Sequence, residues 1–534
     1  MTETNKILTG EELFGVREFE PEFDALIDDF CERDLRPLAN EALKHEEFNE
    51  DVYNKSIEIF QKVGAHKHSI PDEYGGEKIT ARMATSFTRK VCLVPGAADL
   101  GLSVGAGNSL FKAPLFAHGD EELKKQLAPE LASGKKDGVF AQTESEAGSH
   151  VAGIKTKATL GKDGIWRITG TKRFITGGWD ANYALVLAIS DEEMHKQHPS
   201  RGMSMFVVDC DEARAAGTLD SSKNEHKLGL THSPTTEMVF TNAAAFAVLG
   251  PLHNGYKHVN LPTLGGSRAT VISGQATGIG ESAYDLALDY ANDREQFGGS
   301  LTEKHGVIGM LEDMEARNRM SWALTLQSST LKDEFPEGDS RPYELQASMA
   351  KLVAGEYVRV TAKTGLQVHG GNGYIIEYPI GRVLRDSFIT AIYEGTSQVQ
   401  SMLISRGFMS IFMSGALGGE PKDIVRLWPF SPINLESTDA WESIATEFDI
   451  YERRLRFLDN LQKISAQYPV TEPYNLPAPY FELTRAFGSL EAATLVAVGR
   501  QIGSGEFTEV SDSVIKRSFA ISDGEFETME KTYL

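Results

Sequence analysis

The sequence predicts a mainly helical α+β chain, in the order helical, β, helical, with a further helical region at its C-terminal end. Three changes of texture carry this reading. Apolar residues at helical spacing, broken by turn clusters, occupy residues 1–138. Short β-branched or aromatic segments separated by Gly, Asp, Ser and Pro occupy roughly 139–247, the pattern of a small antiparallel β-domain or barrel. Helical spacing returns from about Asn254, and the composition shifts again near residue 412. The expected division is therefore 1–138, 139–247, 248–411 and 412–534, within the two to four domains that a chain of 534 residues implies.

Taken in order, Phe23, Ile27, Phe30 and Leu35 share one side of an amphipathic segment, and Val52, Ile57, Ile59 and Phe60 begin a second. Ser69–Gly76 reads as a turn cluster and Gly105–Leu110 as another small-residue stretch. Asp120 opens a helix with acid first and base later. Strands are expected at 138–142, 165–169, 183–189, 203–209 and 236–241. Ile272, Ile279, Ala283, Leu286 and Tyr290 mark a long helix ending before Arg294, and Pro342 starts a segment whose face includes Leu345, Met349, Leu352 and Val353. Gly415–Pro421 has the composition of a linker, and Trp441–Ile464 and Phe481–Val498 show helical spacing beyond it.

Bulk properties exclude several classes. A net charge of −23 argues against a broad phosphate-binding surface, hence against nucleic acid, and against an anionic membrane. No apolar run reaches membrane-spanning length. Cys31, Cys92 and Cys210 are scattered without metal spacing, which points to a reducing compartment. The polar Met1–Lys6 stretch has no signal-peptide core, so a cytoplasmic protein is expected. His66 and His68 lack companion ligands, and no metal is expected.

Five stretches could carry chemistry. In Ala391–Gln400 a single carboxylate, Glu394, follows Ile392 and Tyr393 and precedes Gly395, whose backbone permits a tight turn. An apolar setting would lift that carboxyl towards neutrality, where a general base works best. Ser397 with Gln400 has the form of a capping box; the competing reading is a helix-start acid that complements the dipole. Thr143–Ser149 offers hydroxyls and backbone N–H groups to an anion or polar heterocycle, or is an ordinary Ser/Gly loop. Phe174 and Thr176 would share one strand face, where a ring could stack while the hydroxyl binds its edge; a core Phe beside a surface Thr is the alternative. Arg294–Gly298 sets a guanidinium at a helix end, suited to a pyrophosphate and equally to a surface ion pair. Gln367–Tyr374 is a glycine-rich break where backbone can approach a ligand. Gly278–Ala283 fits a dinucleotide fingerprint but lies inside helical spacing, so helix packing is the better reading.

These stretches, with Ile70–Gly76, Val151–Thr156, Ser233–Thr235 and Arg385–Asp386, resemble the acyl-CoA dehydrogenase family in its order over roughly residues 10–410. The resemblance implies a helical N-terminal domain, a β-barrel-like middle domain and a C-terminal four-helix bundle, with FAD bound between domains and across a subunit interface. Position by position it implies Glu394 as catalytic base. It implies Phe174 beside the flavin ring, Thr176 near its N5, and Thr143 and Ser149 lining flavin or acyl-CoA. Arg294, Phe297, Gln367, Gly370 and Gly371 would hold the ADP part, with Thr396 and Gln398 also touching FAD. Ser149, Arg268, Tyr393 and Gly395 are the implied substrate contacts. Some relatives carry the base earlier; here that neighbourhood reads Gly265–Arg268, without a carboxylate.

The implied reaction is α,β-dehydrogenation of an acyl-CoA thioester in fatty-acid β-oxidation, with electrons passed to an electron-transferring flavoprotein by a homodimer or homotetramer. Alternatives are an acyl-CoA oxidase using oxygen and a non-catalytic flavin-binding relative. The chain departs from the family at Ser145, Glu146 and His150, at Phe174 (commonly Trp), and at Gly265 and His305. The extension is similar to that of long members acting on very long or unusual acyl groups, where it would supply a dimer interface.

Overall fold

The computed structural model describes residues 21–222, 224–335, 338, 340, 343–413, 444–468, 477–501 and 507–534. The chain separates into two compact units, Leu26–Ser267 with Phe335–Arg341, and Arg268–Glu334 with Pro342–Leu534 and Met1–Ala25.

Helix α1 (Pro21–Phe30), of which Leu26–Phe30 belong to the unit built on Leu26–Ser267, and the principal helices α2 (Glu50–Lys62), α3 (Ala81–Leu93) and α4 (Glu121–Ala132) of that unit precede the sheet. Asn49, Thr80 and Asp120 cap α2, α3 and α4 by accepting from the backbone N–H three residues on, which satisfies an otherwise orphan donor. The Gly105–Leu110 stretch is helical, passing into a π-turn at Gly107–Lys112. Gly76 must be glycine: a Cβ there would lie 1.9 Å from the Ile70 carbonyl oxygen.

Eight strands follow: β1 (Gly138–Ala141), β2 (Lys157–Leu160), β3 (Trp166–Thr176), β4 (Tyr183–Ile189), β5 (Met203–Asp209), β6 (Leu219–Ser221), β7 (Thr235–Ala244) and β8 (Ala247–Leu249). Their order is β6-β7-β3-β2-β4-β5-β8, with β1 on β4. The expected purely antiparallel pairing is corrected: β1 and β2 each pair with β4 in parallel, while the other described strand pairs are antiparallel. Every residue of β4 is buried. Tyr183, Leu185 and Leu187 pack with Phe111, Leu115 and Leu127 of the helices, while Ala184, Val186 and Ala188 pack with Ile168, Met238 and Phe240 of β3 and β7. A strand covered on both faces reads as a continuous apolar run, and the Tyr-Ala-Leu-Val-Leu-Ala-Ile sequence is one.

Among its described residues the other unit is helical apart from one hairpin of two short strands. Helix α5 (Ser273–Asp293) leads into the β9–β10 hairpin (Glu295–Gln296, Gly299–Ser300), then α6 (His305–Glu334), α7 (Glu344–His369), α8 (Ile380–Ser387) and α9 (Ser397–Met413). Gly280 explains the decoy fingerprint: a Cβ there would lie 2.6 Å from Asn318 Oδ1, and Asn318 Nδ2 donates to the Gly280 carbonyl at 3.0 Å. The helices α10 (Ile450–Gln467), α11 (Ala478–Gln501) and α12 (Asp512–Tyr533) form the C-terminal region. Of these, α11 packs on α6, α7 and α9, and α12 on α6. The expected linker at 415–421 lies outside the described residues. Among the described residues no helix is long and apolar enough to cross a membrane, and no group of three or more His, Cys, Asp or Glu could hold a metal ion.

Candidate active site

Glu394 sits in a turn between a short 3-10 helix, Phe388–Ala391, and α9. Its φ is +50°, and that of Gly395 is +97°. Left-handed backbone costs a glutamate of order 1 kcal/mol or more, so the surroundings must impose it. The Ile392 and Tyr393 N–H groups both donate to the Ile389 carbonyl, at 2.8 and 3.1 Å. From the helix side, Gln400 Nε2 donates to the carbonyls of Glu394 and Gly395 at 3.2 and 3.0 Å. Gly395 is required twice over, since a Cβ there would also lie 2.5 Å from Gln400 Nε2. Lys351 Nζ donates to the Thr390 carbonyl at 3.1 Å, and the Tyr393 hydroxyl bonds to Gln275 Oε1.

Two expectations change here. The helix cap is Thr396, whose Oγ1 accepts from Val399 N at 3.3 Å; Ser397 is already inside the helix and donates to Glu356. Gln400 therefore holds carbonyls of the turn and closes no capping box. Ile392 does not line a buried pocket within this chain: it is 55 % exposed. Arg268 is buried, with Nη2 3.4 Å from Glu344 Oε1. Gln398 is exposed at the start of α9.

A second group lies at the end of α5 and α7. Arg294 closes α5 through its N–H to the Tyr290 carbonyl, and its side chain is exposed. Phe297, at φ +53°, is 95 % exposed on the hairpin. Tyr290 stacks on His369 at 4.4 Å and its hydroxyl accepts from Asn372, which joins the end of α5 to the turn holding Gly370 and Gly371. Both glycines face open space, where a Cβ would meet nothing within 4 Å. Gln367 is exposed beside them.

The third group belongs to the other unit. Arg173 N donates to the Thr143 carbonyl at 2.8 Å, pinning the 143–149 loop to β3. Beneath it Glu144 is buried and accepts from Lys155 N at 2.6 Å, Thr156 N at 3.0 Å and Lys172 Nζ at 2.8 Å. Burial works to raise the Glu144 carboxyl, but Lys172 and these donors hold it below the usual carboxylate range. Burial also pulls the Lys172 ammonium down to about 8, against the pull of Glu144. The β3–β7 register shifts between Lys172 and Ile175, both of them buried, so simple alternation of side chains fails here. At that bulge Phe174 has φ +59° and is 55 % exposed, with the Arg173 guanidinium 4.7 Å over its ring. Thr176 is half-buried and pairs with Thr235. Ser149 is exposed, next to a Gly148 with open space around it.

An exposed ring fixed at a bulge, a hydroxyl two residues on, and a loop with room above it fit a flat heteroaromatic ring. Glycines open to solvent beside an exposed arginine fit a phosphate. These residues suit FAD. Sequence reasoning missed Lys172, Lys351, Gly355 and Gln400 as supports. A lysine inside an apolar helical or strand pattern was the available signal for the first two.

The chain matches the family models for the acyl-CoA dehydrogenase N-terminal domain at 18–135, middle domain at 139–243 and C-terminal domain at 255–409. It is 31 % identical over 388 residues to the mitochondrial short-chain specific acyl-CoA dehydrogenase of Bos taurus, covering 72 % of this chain and 89 % of the relative. It is similar to a chain in the structure of the electron transferring flavoprotein of Acidaminococcus fermentans, with TM-score 0.67, 29 % identity and coverage of 74 % and 98 %. An acyl-CoA dehydrogenase from Bacillus anthracis, complexed with FAD, matches 98 % of this chain and 89 % of its own, with TM-score 0.80. At 20 % identity that likeness shows the fold alone, and it extends through the C-terminal helices. The chain belongs to the acyl-CoA dehydrogenase family of FAD-dependent oxidoreductases.

Proposed function

We propose that the protein converts a saturated acyl-CoA thioester to its 2-enoyl-CoA, with Glu394 as the base that takes the α-proton. The observation that carries this is the fixed presentation of Glu394, held at φ +50° by Gln400, Gly395 and the 3-10 turn. A carboxylate restrained in a strained backbone is placed firmly enough to meet one C–H bond.

FAD, when bound, supplies the acceptor for the hydride that leaves the β-carbon. Phe174 and Thr176 would face its ring, with Thr143 and Ser149 beside it. Arg294, Phe297, Gln367, Gly370 and Gly371 would hold its ADP part in a neighbouring copy of this chain, and Thr396 and Gln398 would add contacts. The Glu394 backbone N–H polarises the thioester carbonyl, which acidifies the α-carbon, and Glu394 then takes the proton. Arg268, Tyr393 and Gly395 border the acyl-CoA. The working parts are residues 1–138, 139–247 and 248–411, with 412–534 as the extension. Electrons leave to an electron-transferring flavoprotein, a reading favoured by the likeness to the Acidaminococcus structure. A homo-oligomer acting in the cytoplasm completes the reading.

An anaerobic absorbance titration with saturated acyl-CoAs of increasing length tests it. Bleaching of the oxidised flavin band by one group of thioesters is expected, and Glu394→Gln should bind flavin and thioester yet lose nearly all turnover. A folded, active Glu394→Gln sinks the base assignment. Hydrogen peroxide formation during turnover would replace the flavoprotein acceptor with oxygen.

A further inference from the structure

Lys351 lies inside α7, 1 % exposed, with buried Met349, Leu352 and Val353 around it in sequence. Burying an ammonium costs several kcal/mol unless other groups offset it. Its hydrogen bond runs to the Thr390 carbonyl at 3.1 Å, four residues before Glu394. One helical turn further along α7, Gly355 brings bare backbone against the same segment. A Cβ there would lie 3.1 Å from the Thr390 oxygen and 3.3 Å from Ala391 Cα. Helix α7 therefore grips the approach to Glu394 at two points, one a cation and one a glycine.

The charged groups acting on Lys351 come from three elements: Glu394 from the turn, Arg268 from the segment before α5, and Glu356 from α7 itself. Glu356 already pairs with Arg359 and accepts from Ser397, and Arg268 pairs with Glu344. Among these charges Glu394 acts on Lys351 most strongly. Burial pulls the ammonium down to about 7, and the Glu394 carboxylate opposes that pull.

We propose that Lys351 is a positioning residue for the reaction: its ammonium, tied to the Thr390 carbonyl, holds the turn that presents Glu394 and sets a positive charge against that carboxylate. The proposal rests on the reading of Glu394 as base. An opposing cation favours the ionised form of a neighbouring carboxyl, so loss of the Lys351 charge removes that bias from Glu394. By the same interaction the Glu394 carboxylate favours the charged form of Lys351.

The test is an infrared pH titration of the Glu394 carboxyl, its band identified by loss in Glu394→Gln, beside the pH profile of kcat/KM. Lys351→Met removes the charge and the donor; Lys351→Gln removes the charge and keeps a donor for Thr390. Both should move the Glu394 midpoint to higher pH, on the order of one unit, with the acidic limb of kcat/KM following. Lys351→Arg should keep the wild-type midpoint. A purely structural role would lower kcat and leave both midpoints in place, which would overturn the proposal. Where neither neutral variant folds, the reciprocal measurement decides: in Glu394→Gln the Lys351 amine, followed by NMR, must titrate at lower pH than in wild type. An unmoved amine overturns the coupling. An active Glu394→Gln would instead defeat the base assignment, leaving the infrared and NMR readings to judge Lys351 by themselves.

Discussion

The Gln400 side-chain amide reaches back from the first turn of α9 to the carbonyls of Glu394 and Gly395, at 3.2 and 3.0 Å, the two residues whose backbone is left-handed. The helix that follows the turn thereby fixes the turn. Gln400 is fully buried, so Gln400→Ala removes two hydrogen bonds without solvent to replace them. The expected loss is about 2 kcal/mol in urea denaturation, from roughly 1 kcal/mol per bond. With Glu394 free to relax, kcat should fall by about tenfold or more while KM changes much less, read from steady-state kinetics.

Glu144 and Lys172 test the 143–149 loop. Glu144→Gln leaves the Lys172 ammonium buried without its counter-charge, at a cost of about 3–5 kcal/mol. The double variant Glu144→Gln/Lys172→Met should be more stable than Glu144→Gln alone, because it buries no unpaired charge. Thermal melting and flavin content check this ranking, and a double variant weaker than the single one would contradict it.

The same pair predicts acid sensitivity. The Glu144 carboxyl is held below its ordinary value in the folded chain, so its contribution is present above the unfolded value and lost as pH falls through the folded one. Flavin retention should be flat from about pH 5 to 8 and decline below about pH 4. In Glu144→Gln the decline should be shallower. Fluorescence of released flavin across a pH series gives the measurement.

Gly280→Ala asks whether helix propensity or packing decides. Alanine favours a helix interior by up to about 1 kcal/mol. The new methyl would meet Asn318 Oδ1 at 2.6 Å and displace its bond to the Gly280 carbonyl, with overpacking and a lost buried bond together costing about 2–4 kcal/mol. Net destabilisation is expected, and a raised melting temperature would refute the packing account.

The alternation of textures made the helical and β segments legible, because core-facing residues repeat with the period of the element that holds them. Strands β2, β6 and β8 were missed; they run to four residues at most, too short for a pattern to accumulate. Helix α12 was missed as well. The turn and helix start around Glu394 were legible, yet the left-handed backbone of Glu394 itself was not, since Gly395 alone carried the local signal. The cap fell one residue early because Thr396 and Ser397 offer the same hydroxyl chemistry, and register alone chooses between them. Glu144 and Lys172 stand 28 residues apart and Lys351 and Thr390 stand 39 apart, so local spacing cannot join them.

Helix α7 touches two neighbours at once. Lys351 and Gly355 meet the segment before Glu394, while Tyr357, two residues beyond Gly355, donates its hydroxyl to Ser489 of α11 at 2.6 Å. A rod clamped at both sides transmits a shove from either one. Loosening of the C-terminal helices would therefore reach the turn at Glu394 as a loss of aim before any loss of fold, and damage far along the chain would register there first.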